Sequence, residues 1–195
     1  MIIGIGLQLY SGGTQFVIEN GFMRIQMHEL SLASFPFFIF AFYNSLKKKP
    51  KYSKILAPWW RGFVAFLIDF SAILSLIAIP ICFIALIIEN NGYPQIWEIA
   101  RELTPNENIL YSLILIPSIL LGIALFGFTL HPKVVSPGAL FTNITITTKM
   151  EKPNIKLAMN GALIYFQVAF PFIKHFSFRK KDKEQLEVNV VLRNA

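Results

Sequence analysis

The sequence predicts an all-α integral membrane protein: a small bundle of two transmembrane helices and a third membrane segment, with short hairpin and strand pieces outside the bilayer. Three observations predict it. After Arg61 the chain runs 27 residues to Ile88 with one charge, Asp69. Ile109 to Leu130 adds 22 residues with none. The chain as a whole is 54% hydrophobic, with a mean hydropathy of +0.54 and 19 phenylalanines, which is too apolar for a soluble domain of this length with one core.

The first span reads as Pro58 to Ile88. A helix rises ~1.5 Å per residue and the hydrocarbon core is ~30 Å thick, so about 20 apolar residues cross it. Trp59 and Trp60 stand where a headgroup-level belt would be, and Arg61 can snorkel to the same level. Asp69 lies eight residues deeper. An acid at that depth costs on the order of 2.5 kcal/mol against lipid, so it must face protein or water. Ser112, Ser118, Asn160 and Gln167 on the later segments are the partners expected for it.

Before this span, residues 1–57 read as an N-terminal extension. Two short strands flank Asn20-Gly21, a pair that tolerates the left-handed backbone of a tight hairpin. Leu30 to Leu46 is apolar but short for a span and carries Pro36; Phe35, Phe38, Phe42 and Leu46 recur at helical spacing, which predicts an interfacial helix in preference to a re-entrant one. A basic linker follows, with Lys47, Lys48, Lys49, Lys51 and Lys54 and no acid before Arg61. Short basic loops stay cytoplasmic, which places the front of the first span inside.

The loop from Glu89 to Asn108 carries Glu89, Glu98, Glu102 and Glu107 against Arg101 alone, as expected on the outer side. Within it, Tyr93 to Leu103 is expected to form a short amphipathic helix with Trp97 dipping toward lipid. The second span follows, with Pro117 inside it as Pro80 is inside the first. Each proline frees one carbonyl, for which Ser118 and Ser75 are the nearby donors. Beyond it, Ser136-Pro137-Gly138 reads as a turn and Thr142 to Thr148 alternates as a short strand does. Leu157 to Ile173 is the third membrane segment, 17 uncharged residues interrupted by Asn160, Gln167 and Pro171. If it spans, the basic C-terminal tail 174–195 lies outside; if it is re-entrant, the tail returns inside. Charge favours the second and length the first.

Arg61, Ala65 and Asp69, spaced by four and eight, resemble the opening of the RDD membrane family, and Ser136-Pro137-Gly138 followed by Ile144-Thr145-Ile146 is similar to that family's Thr-Pro-Gly turn and strand. The resemblance covers about residues 55 to 173 and makes 58–173 an RDD-like transmembrane domain. It departs from the family in three places. Ala139 and Leu140 stand where basic residues usually follow the turn. The second aspartate falls near Thr148, with no acid before Glu151. A late arginine is missing, with Asn160 and Gly161 nearby. The resemblance implies a bacterial inner-membrane protein, for which transport has been proposed.

Two functions follow as expectations. In one, the helices form a transport or ion- or proton-translocating module in which Asp69 is the intramembrane charge, with Arg61, Asn160 and Gln167 as further candidates. In the other, the protein is a non-transporting scaffold or accessory subunit in which Arg61 and Asp69 are a structural pair. Partners expected are the lipid bilayer and either further copies of the chain or another membrane protein. Enzymatic chemistry has no motif here: there is no Cys/His cluster, phosphate loop or nucleophile elbow. No cofactor or metal is expected; His28 stands alone and Cys82 lies inside the apolar run as a small lipid-facing or packing residue. Basic residues do not interleave with aromatics as a nucleic-acid surface requires.

Overall fold

The computed structural model describes residues 1–49, 55–89, 96–129, 134–148 and 188–193. In chain order these form α1 (Ile2–Tyr10), β1 (Gln15–Glu19), β2 (Phe22–His28), α2 (Glu29–Leu46), α3 (Trp59–Glu89), β3 (Ile96–Glu102), α4 (Pro105–Thr129), α5 (Pro137–Phe141), β4 (Ile144–Thr148) and β5 (Val188–Leu192). The fold is therefore mixed α and β, and the all-α expectation is wrong. Beside the helices stand a three-stranded antiparallel sheet in the order β1-β2-β3 and a two-stranded sheet of β4 and β5. The chain divides into two compact units, 1–40 with 72–122 and 41–71 with 123–195.

In the first unit the hairpin turns on Asn20 (φ 51°) and Gly21 (φ 78°), both left-handed, and Glu19 pairs with Phe22 across it. Two left-handed residues in a two-residue loop match the twist of the strands they join. On β2 every second side chain is buried. Met23, Ile25 and Met27 pack against Ile79, Cys82, Ala85 and Leu86 of α3 and Tyr111 of α4. Cys82 thus serves as a small core residue.

The third strand corrects the helix expected from Tyr93 to Leu103. Ile96–Glu102 pairs with β2 over its whole length, from His28↔Ile96 to Phe22↔Glu102. Its exposure alternates with a period of two, with Trp97, Ile99 and Arg101 the more covered residues. The Trp97 ring stacks on Phe83 at 5.6 Å, so it faces protein where a lipid contact was expected. Behind the sheet, α1 and α2 meet through Gln8, whose amide donates to Ser34 Oγ and the Ser31 carbonyl, while Ser11 and Ser31 share a hydroxyl hydrogen bond of 2.6 Å. These contacts account for two fully buried serines on an apolar helix.

Helices α3 and α4 are long and apolar enough to cross a membrane. Such a helix can also be the core of a soluble protein, but there it is mostly covered. In α4 only 11% of the most apolar window is buried, and Ile109, Leu113, Ile116 and Leu120 are all more than half exposed. An exposed apolar surface of this kind is what a helix presents to lipid or to a partner protein.

The second unit holds the front of α3, the end of α4, α5 and the two-stranded sheet. Ala65, Val135, Ala139 and Ile144 form its small core, and the Phe66 ring stacks on Phe70 and on Phe126 at 5.9 and 6.1 Å. β5 pairs with β4 from Ile144↔Leu192 to Thr148↔Val188. It is also tied to the residues before α3: the Leu192 amide donates to the Ile55 carbonyl, and Arg193 Nη2 donates to the Lys49 carbonyl. The strand from the basic tail therefore sits beside the lysine run. Leu157–Ile173, with Asn160 and Gln167, lies outside the described residues.

Candidate functional site: the α3–α5 clamp

Arg61, Ala65 and Asp69 follow one another at intervals of four along α3, which puts them on one slowly turning face. Against that face lies α5, a five-residue helix whose first turn is specified residue by residue. Ser136 is its N-cap, with extended backbone, and its Oγ accepts the Ala139 amide at 3.1 Å. Pro137 follows at the first helical position, where a missing N–H costs nothing. The remaining early amide, that of Gly138, donates to Asp69 Oδ1 at 2.6 Å. Ser136 Oγ donates its own proton to Asp69 Oδ2 at 2.5 Å. The Gly138 and Ala139 amides, which the helix start leaves without an intrahelical partner, are thereby satisfied, and Asp69 is fully buried.

Gly138 is there for space. A Cβ on it would collide with the Ala65 carbonyl oxygen and stand 2.9 Å from Asp69 Cγ. Ala65 is 1% exposed. The short side chain at Ala65 and the missing one at Gly138 let the two helices approach closely enough for Asp69 to reach an α5 amide. The next residue, Ala139, is 3% exposed in the core.

At its other end α5 closes on Thr142, whose Oγ1 donates to the Gly138 carbonyl at 2.9 Å. The Thr142 carbonyl accepts from Arg61 Nη1 at 3.4 Å, and the guanidinium lies over the Trp60 ring at 5.3 Å. A carboxylate thus meets the N-terminus of α5 and a guanidinium meets its C-terminus, both signs favoured by the aligned peptide dipoles.

These contacts relocate several expected site residues. Arg61 and Asp69 do not bond each other; they grip opposite ends of α5. The carboxylate expected to seek Ser112 or Ser118 on the second span is taken by Ser136 and Gly138, while Ser118 turns back to the Ile114 carbonyl of its own helix. Asn160 and Gln167 lie outside the described residues. The role of Ser136 was missed, although Ser-Pro at a helix start is an N-cap signal readable in sequence.

A second polar cluster ties the far end of α3 to the start of α4. Arg101 on β3 forms ion pairs with Glu89 at 2.8 Å and Glu107 at 2.7 Å, and Tyr111 donates to Glu89. The hydrogen bonds to Glu107 and then Glu89 raise the Arg101 pKa further above its ordinary range, so the guanidinium stays charged. Among the described residues no group of three or more His, Cys, Asp or Glu side chains is placed to hold a metal. His28 Nδ1 accepts the Leu30 amide. Compared with family models, curated proteins and solved structures, the chain matches none.

Proposed function

We propose that this is a multi-pass inner-membrane protein of the RDD type that acts as a non-transporting scaffold or accessory subunit, its Arg61 and Asp69 serving to fix α5 against α3. The Arg61-Ala65-Asp69 and Ser136-Pro137-Gly138 motifs support the family reading, and the clamp gives each of those residues a packing role. One observation carries the functional choice. Asp69 is fully buried, with one carboxylate oxygen held by the Ser136 hydroxyl and the other by the Gly138 amide. An acid that carried protons or cations would have to leave these donors at each cycle, exposing a buried amide and a buried hydroxyl.

Translocation through Asp69 is the competing reading, and a flux assay separates the two. Purified protein in proteoliposomes, with and without an imposed proton gradient, is expected to give no more flux than empty vesicles. A proton-driven flux in the wild type that is lost in a folded Asp69→Asn protein would overturn the scaffold reading.

A further inference from the structure

The surroundings of Arg61 point to a ligand, an inference that rests on the membrane reading above. Its guanidinium offers five N–H donors in a fixed fork. Within the described residues it finds a single long bond to the Thr142 carbonyl and the face of Trp60; no carboxylate pairs with it, and its Nε is buried with no hydrogen-bond partner. Burying a charged donor without an acceptor is unfavourable, so the guanidinium favours any further acceptor that can reach it.

The neighbourhood says what kind. Leu56 and Trp59, immediately before Arg61, are 70% and 61% exposed. Tryptophans in that position sit at the depth of lipid headgroups. The exposed Lys47–Lys49 run belongs to the same unit and joins it through hydrogen bonds: the Lys49 carbonyl accepts from Arg193, whose amide donates to Asn143, the residue after Thr142. Among the described residues of this unit the only acid is Asp69, and it is fully buried.

We propose that this face is a binding site for an anionic phospholipid, with the headgroup phosphate held by the Arg61 guanidinium, the tryptophan rings flanking the glycerol region and the lysine run drawing in the negative headgroup. A phosphate accepts N–H bonds from a guanidinium, a capacity that the one long bond to the Thr142 carbonyl leaves largely unused. Because the same guanidinium contacts Thr142, an occupied site also steadies the C-terminal end of α5.

The test uses full-length protein from carbonate-washed membranes; its presence there reports the membrane reading on its own. After delipidation in a neutral detergent, thermal unfolding and native mass spectrometry are run with added phosphatidylglycerol, phosphatidylcholine or inorganic phosphate. Phosphatidylglycerol is expected to raise the melting temperature and remain bound where phosphatidylcholine does not. Arg61→Gln is expected to lower phosphatidylglycerol retention by roughly five- to tenfold, the loss of about one basic contact. Arg61→Lys, which keeps the charge without the fork, is expected to fall between them and guards against a mere folding defect. Equal response to the two lipids, or an Arg61→Gln protein that retains phosphatidylglycerol like the wild type, would overturn the site. Reproduction of the whole effect by inorganic phosphate would overturn the lipid assignment.

Discussion

Arg61 and Asp69, eight residues apart on α3, hold opposite ends of one short helix. Asp69 accepts from the Ser136 hydroxyl and the Gly138 amide at the start of α5, and Arg61 donates to the Thr142 carbonyl at its end. Eight residues give ~12 Å of rise, close to the length of α5 with its caps. The spacing that makes a direct Arg–Asp bridge difficult is the spacing a five-residue helix between them requires.

Asp69→Asn should therefore act on stability. The carboxamide oxygen accepts one of the two donors, while its NH2 confronts the other. A loss of about 2–4 kcal/mol is expected, from a hydrogen bond to a charged acceptor and a donor left unpaired. Arg61→Gln alone should cost under about 1 kcal/mol, and adding it to Asp69→Asn should restore nothing, because the two side chains do not pair. Thermal unfolding of the single and double variants in detergent checks this. A double variant clearly more stable than Asp69→Asn would show direct coupling between the two residues.

Gly138→Ala is expected to be as damaging, by about 1–3 kcal/mol of overpacking or more. Its methyl group would meet the Ala65 carbonyl oxygen, which is backbone, so Ala65→Gly should not rescue it. Ser136→Ala removes a cap and one Asp69 donor and should cost about 1–2 kcal/mol. The same melting experiment ranks the three; a neutral Gly138→Ala would mean that α5 does not lie against α3.

The clamp also shows what was legible in the sequence. The two long apolar helices announced themselves through missing charges, and Asn20-Gly21 announced the hairpin, because both signals are local. The spacing of Arg61, Ala65 and Asp69 by four and eight was visible, and α3 sets the three along one slowly turning face. What met that face was not, since Ser136 lies 67 residues beyond Asp69 and nothing local links them. β3 failed for a similar reason: Ile-Trp-Glu-Ile-Ala-Arg-Glu is short enough to suit either period, and its partner β2 comes some 70 residues earlier. A strand that depends on so distant an edge reads by itself as an amphipathic helix.

In the hairpin, Gly21→Val should loosen the three-stranded sheet. Gly21 stands at φ 78° and its carbonyl accepts the Leu103 amide at 2.6 Å, so the strain reaches the end of β3 as well. A β-branched residue in that conformation costs about 1–3 kcal/mol. Hydrogen exchange at β1 and β3 amides should rise together. Faster exchange confined to residues 20 and 21 would show that the sheet does not depend on the turn.

Sidedness is the last expectation. The lysine run places Lys49 inside, and a spanning α3 then puts the acidic stretch outside. The tail was undecided in the sequence; in the fold the Leu192 amide bonds to the Ile55 carbonyl and Arg193 to the Lys49 carbonyl, so the expectation is that the tail shares the side of the lysine run. Single cysteines at Lys49, Glu98 and Ala195 in a Cys82→Ala background test all three with a membrane-impermeant maleimide. In intact cells only Glu98→Cys should label; Lys49→Cys and Ala195→Cys should both need permeabilisation. Labelling of Ala195→Cys but not Lys49→Cys in intact cells would break the β4–β5 pairing, and labelling of Lys49→Cys would reverse the orientation of α3.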